Sequence, residues 1–190
     1  QPVLMQRTNI DGQKLLAPYN LVTAFYWVYD GNNGPRPVRK VDLQAAYLVD
    51  GKYAPEILAA FDADKNGQID AAELRTDTIE KQAAVATRLE ALGLTNPHIE
   101  GQVQPYSINH DVARGEYAIR DCTTCHTSDS RVTKPLQLAA YSPAGVTPKF
   151  VTDSNVNVTG EIVTGANGSL VYPPVTTKDG VYVFGRDRVN

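Results

Sequence analysis

The spacing of apolar residues changes several times along the chain, and each change predicts a different element. β-Branched and aromatic side chains crowd into LVTAFYWVYD (21–30), which predicts a strand running into turn signals at Asp30-Gly31 and Asn33-Gly34. The next run, VDLQAAYLV (41–49), fits a short helix and a strand equally. Residues 52–94 carry the clearest helical spacing. Pro55 suits the first turn of a short helix ending at Phe61. Val85, Leu89 and Leu92 share one face of a longer helix predicted from about Ala71 to Leu92, which Gly93 and Asn96-Pro97 stop.

From His98 to His110 the pattern is extended, in one or two strands broken at Pro105. GEYAIRDC (115–122) then predicts a short helix that delivers Cys122. After Pro135 the texture turns to Val, Thr, Gly and Asn, with a hairpin predicted around Ala166-Asn167-Gly168. This tail has few large apolar residues for its length, so its strands are expected to pack on the rest of the protein or on a neighbour. No internal repeat is visible.

Composition narrows the picture. A hydrophobic content of 42% over 190 residues is enough for a real core. No apolar run approaches the roughly 20 residues of a membrane-spanning helix. A net charge of −3 without a clustered basic stripe gives no reason to expect nucleic acid, so partners are expected among proteins and small molecules. The chain opens QPVLMQRTNI, with no charged-then-apolar leader.

Two motifs carry chemistry. FDADKNGQIDAAEL (61–74) has oxygen-bearing residues at the spacing of an EF-hand loop. Asp62, Asp64 and Asn66 stand at loop positions one, three and five, converging on a hard cation. Gly67 is sixth, where the chain turns sharply; Gln68 is seventh and would ligate through its carbonyl. Ile69 is the apolar eighth residue, Asp70 the ninth, and Glu73 the twelfth, placed to bind with both oxygens. Four carboxylates in twelve residues repel one another without a cation, which weighs against a plain Asp-rich loop. DSNVNVTGE (153–161) alternates oxygens but has Val158 where glycine is needed, so it is rejected as a second site. An unpaired loop favours a structural calcium over a switch.

The second motif is Cys122-Thr123-Thr124-Cys125-His126, which contains both cysteines of the chain. A thioredoxin-type pair would want a βαβ frame, a zinc site would want four ligands, and a disulfide across two residues is strained. The C-x-x-C-H spacing instead suits two thioethers along one porphyrin edge, with the next residue beneath the iron. The segment resembles the attachment motif of monohaem c-type cytochromes. That resemblance implies one covalent haem c on Cys122 and Cys125 with His126 as proximal ligand. It departs from small mitochondrial-type cytochromes c, because no Met follows Cys125 and the one Met is Met5. His110, twelve residues before Cys122, resembles the upstream histidine of multihaem cytochromes and is the expected distal ligand, ahead of His98 and Met5. Arg120 and Arg131 are candidates for haem propionates, and Tyr106, Tyr117 and Tyr141 for packing on the ring, though each also suits an ordinary surface or core position.

The expected architecture is α+β, an EF-hand-like helix-loop-helix and a haem-binding segment flanked by strand-rich N- and C-terminal parts. The parts are 1–50, strand-rich; 51–96, EF-hand-like and helical; 97–140, the haem c segment; and 141–190, a strand-rich tail, integrated in one domain. The expected function is electron transfer by a bis-His haem c with one structural Ca²⁺. The redox partners are other cytochromes, or further copies of the chain in an oligomer or filament. Haem c attachment implies a periplasmic or extracellular place and a leader already removed. The alternative is a haem enzyme or ligand sensor with an open sixth coordination site.

Overall fold

The computed structural model describes residues 2–108, 115–130, 132, 134–152, 155–175, 177 and 181–183. The chain is a mixed α+β protein. Its elements in order are β1 (Val3–Thr8), β2 (Lys14–Gly31), β3 (Gly34–Pro37), α1 (Lys40–Tyr47), β4 (Leu48–Val49), β5 (Lys52–Tyr53), α2 (Pro55–Phe61) and α3 (Ile79–Ala91). Then follow β6 (His98–Ser107), β7 (Leu136–Ala139), β8 (Lys149–Phe150), β9 (Val156–Asn157), β10 (Val163–Thr164) and β11 (Leu170–Tyr172). Among the described residues, no helix is long and apolar enough to cross a membrane.

The chain forms two compact units, one of Gln1–Thr23, Gln102–Ala140 and Lys149–Asn190, the other of Ala24–Gly101 and Tyr141–Pro148. In the first, the strand order runs β8-β6-β2-β1-β9, and β10-β11-β7 form a separate sheet. Pairing of Val3 with Tyr19 and Met5 with Ala17 puts all four on one face. They are buried there with Tyr172, whose ring meets Phe150 edge-on at 5.2 Å. The tail expectation therefore holds: β11 brings Tyr172 into the core. Met5, weighed above as a haem ligand, is fully buried in that core.

In the second unit α1, α2 and α3 surround Trp27, Val38 and Ile99. The open choice at 41–49 resolves as a helix, α1, running directly into the short strand β4. The predicted short helix from Pro55 to Phe61 is α2, which buries Ile57 and Phe61 one turn apart. Arg88 of α3 donates to the carbonyls of Ala45 and Ala46, filling acceptors left open at the end of α1.

Four local expectations need correction. The long helix starts at Ile79, not near Ala71. Thr78 caps it, and the Thr76 carbonyl accepts from the Ala144 amide at 3.1 Å instead of continuing a helical ladder. Leu92 leaves the buried face and is 46% exposed, because the helix ends in a Schellman turn with Gly93 N–H on the Glu90 carbonyl and Leu94 N–H on Leu89. β6 continues through Pro105 unbroken, from His98 to Ser107, and its pairing with β8, at Gln102 and Val103, ends before the missing donor. Residues 115–122 form no helix into Cys122, only a 3₁₀ turn at Gly115–Tyr117 followed by irregular chain.

Candidate functional site

The acidic loop, in the second unit, hangs between α2 and α3. Its residues turn inward because backbone amides demand acceptors, and the side chains that could bind a cation supply them. Asp62 accepts from the amides of Asn66 at 3.1 Å and Gly67 at 2.8 Å. Asp64 accepts from the same Asn66 amide at 3.0 Å, and Asn66 Oδ1 from Gln68 at 2.8 Å. Glu73 reaches back across the loop: Oε1 accepts from Ala63 at 2.8 Å and Asp64 at 3.3 Å, and Oε2 from Asp70 at 3.1 Å. Asp70 in turn accepts from Ala72 and Glu73. Gly67 has φ +84°, the left-handed turn expected at the sixth position, and open space where a Cβ would stand.

Partial burial raises the Asp62 carboxyl, but donation from Gly67 and Asn66 outweighs it and holds Asp62 below the ordinary carboxylate range. Asp62, Asp64 and Glu73 each offer an oxygen within 4.8 Å of the others. Oxygens around one calcium at about 2.3–2.6 Å lie at most about 5 Å apart, so this donor set fits a single calcium ion. Asn66, Gln68 and Asp70 are exposed on the same loop, while Ile69 packs on the second unit's core. The segment leaving the loop departs from the expected helix-loop-helix, because only a single turn follows Asp70 before α3 begins at Ile79.

The cysteine motif lies in the first unit. Asp121 caps the 3₁₀ turn Cys122–Thr124, accepting from the Thr123 hydroxyl at 2.6 Å and its amide at 3.0 Å. Those two bonds, the hydroxyl's first, hold the Asp121 carboxyl below its usual range. The Cys122 carbonyl accepts from the amides of Cys125 at 3.2 Å and His126 at 2.8 Å, so the motif is wound into one tight turn. Both thiols are free, Cys122 exposed and Cys125 half-buried, and His126 is exposed. Two accessible thiols on one turn beside an imidazole fit the donor set of a covalently held haem.

His110 and Arg131 lie outside the described residues. His98 sits at the start of β6 with Nδ1 2.8 Å from the Asn96 carbonyl, in the second unit, as an ordinary surface histidine would. Arg120 is exposed and contacts only the Gly115 carbonyl among the hydrogen bonds described, at 3.5 Å. Tyr117 and Ile119 are 79% and 59% exposed, leaving apolar surface in the few residues before Cys122. Tyr106 is exposed too, and Tyr141, in the second unit, lies under Arg75. Sequence reasoning passed over Lys81, which donates to the Glu73 carbonyl at 3.0 Å. Its one signal was the Asp77–Lys81 spacing of four, common on any helix.

The chain matches no family model, no curated protein and no solved structure.

Proposed function

We propose that the protein is an electron carrier with one haem c and one structural calcium. The observation that carries this reading is the C-x-x-C-H motif with both cysteines free on a single turn. In the assignment, Cys122 and Cys125 would hold the haem through two thioethers, and His126 and His110 would be the ligands of its iron. The haem supplies a one-electron couple, and two imidazoles favour its ferric state relative to a His/Met pair. The exposed Tyr117 and Ile119 offer the apolar surface that a flat cofactor would cover. Calcium is assigned to Asp62, Asp64, Asn66, Gln68, Asp70 and Glu73, as a brace of the EF-hand type.

A ligated haem exchanges electrons by meeting other redox centres, so the partners are cytochromes outside the cytoplasm or further copies of the chain in a filament. Environmental calcium there keeps even a weak site filled. Protein produced with c-type maturation machinery should gain the mass of one haem through two thioethers and show low-spin bands indifferent to carbon monoxide. No covalent haem in that protein would overturn the reading. A high-spin spectrum that binds carbon monoxide would replace it with the enzyme or sensor. His110→Ala should convert the spectrum to high spin; an unchanged spectrum moves the sixth ligand elsewhere. Size exclusion and electron microscopy of the native protein decide assembly, and a strict monomer at high concentration removes the filament.

A further inference from the structure

A loop of this kind needs its twelfth residue held firmly, because that side chain gives two of the cation's oxygens. Here the five residues 74–78 separate Glu73 from α3, so no following helix carries Glu73. Something else fixes it. Lys81, in the first turn of α3, extends its ammonium back to the loop. Nζ donates to the Glu73 carbonyl at 3.0 Å and to Asp77 Oδ1 at 2.9 Å. It also stands 5.4 Å from the centre of the Phe61 ring, the residue immediately before Asp62. One side chain therefore touches both ends of the loop. It is only 12% exposed, and an ammonium so enclosed persists when its charge is met by acceptors, as it is here. The Lys81 amide also closes the Thr78 cap, at 3.3 Å, which fixes the root of the side chain as firmly as its tip.

We propose that Lys81 is the positioning residue of loop 62–73, holding Glu73 at the mouth of the loop in the place of the absent second helix. This rests on the calcium reading given above. The sign of the effect separates it from simple electrostatics. A positive charge beside a cation site repels the cation, so charge alone predicts that neutralising Lys81 tightens calcium binding. Positioning predicts weaker binding. In about 0.5 M KCl the screening length falls to about 4–5 Å, which suppresses the repulsion and leaves the positioning effect.

Isothermal titration calorimetry of the whole protein with CaCl₂ in that salt should give one site. Lys81→Met should weaken it about tenfold, and Lys81→Arg, which keeps charge and donors, should stay within about threefold. Hydrogen exchange supplies a readout that a merely structural lysine would not produce. In Lys81→Met the Ala63 and Asp70 amides, which donate to Glu73, should exchange faster, with Val85 and Leu89 unchanged. Calcium binding by Lys81→Met as tight as wild type, or tighter, overturns the proposal, as does uniform acceleration through α3. If Lys81→Met does not fold, Asp77→Asn carries the test: two- to threefold weaker binding supports the proposal and unchanged binding overturns it. A wild-type protein that binds no calcium sinks the calcium reading itself, a different result from any of these.

Discussion

Glu73 is the residue on which the loop closes, and replacing it by Gln gives a result that can be worked out in advance. The carboxylate accepts three amide donors, two on Oε1 and one on Oε2. Glutamine keeps one acceptor oxygen, enough for Ala63 and Asp64, but turns its NH₂ toward the Asp70 amide. Without calcium, in excess EGTA, losing that one hydrogen bond should cost about 1 kcal/mol. With calcium the loss is larger, because a charged bidentate ligand becomes a neutral single one. Taking about 2 kcal/mol for that charged contact, affinity falls about thirtyfold. At a calcium concentration of about 100 times the wild-type Kd, the ion stabilises wild type by about 2.7 kcal/mol and Glu73→Gln by about 0.9 kcal/mol. The measurement is urea unfolding followed by Trp27 fluorescence, with calcium and with EGTA. Trp27 is the one tryptophan of the chain and is buried in the second unit's core with the loop's own anchors, so its signal reports that unit. If calcium stabilises Glu73→Gln as much as wild type, Glu73 is not a calcium ligand and the loop assignment fails.

Three further predictions follow from the same geometry. Thr78→Ala removes the cap of α3 and should cost about 1 kcal/mol in the Trp27 transition, while Thr78→Ser should restore most of it. Gly160→Ala drives a methyl group into the carbonyl oxygen of Pro173 and to 3.0 Å from the Tyr172 ring; backbone cannot yield cheaply, so the first unit should lose about 1–3 kcal/mol by far-UV circular dichroism. Asp77 is held below its ordinary value of 3.8, first by its hydrogen bond from Lys81, so its contribution is complete only well above that value, shrinks as pH falls past it and is gone below the lower folded value. Asp77→Asn should flatten that acid-side slope in EGTA, and an unchanged slope would refute the assignment.

What could be read in advance was local. Pro55 at a helix start, Gly93 at a helix end and Gly67 at a sharp turn each answer a backbone demand that neighbouring residues set by themselves. The oxygen spacing of 62–73 was legible for the same reason, since the loop's acceptors serve amides a few residues away. Thr76 and Thr78 show where this stops. Periodicity suggested a helix through them, but the Thr76 carbonyl goes to Ala144 and its hydroxyl lies 3.5 Å from the Tyr47 hydroxyl, partners 68 and 29 positions away that no local pattern could announce. Tyr172 belongs to the same class. Its strand was legible in the hairpin read around Ala166-Asn167-Gly168, but its companions Val3 and Met5 were not, because a turn signal says which neighbouring segments pair and not what they pack on.

The discontinuity of the first unit has a consequence in time. Gln6 pairs with Asn157, and Val3 and Met5 meet Tyr172, so the hairpin of β1 and β2 can form early but cannot complete its far edge and its core until residues beyond 150 have been made. Helices α1, α2 and α3 close on one another within a much shorter span and can be complete by then. The turn bearing Cys122 and Cys125 is made inside that interval, while the core of its own unit is still incomplete. Until those residues arrive, the two thiols stand on a chain half folded, with the helices around Trp27 able to close and the first unit still open.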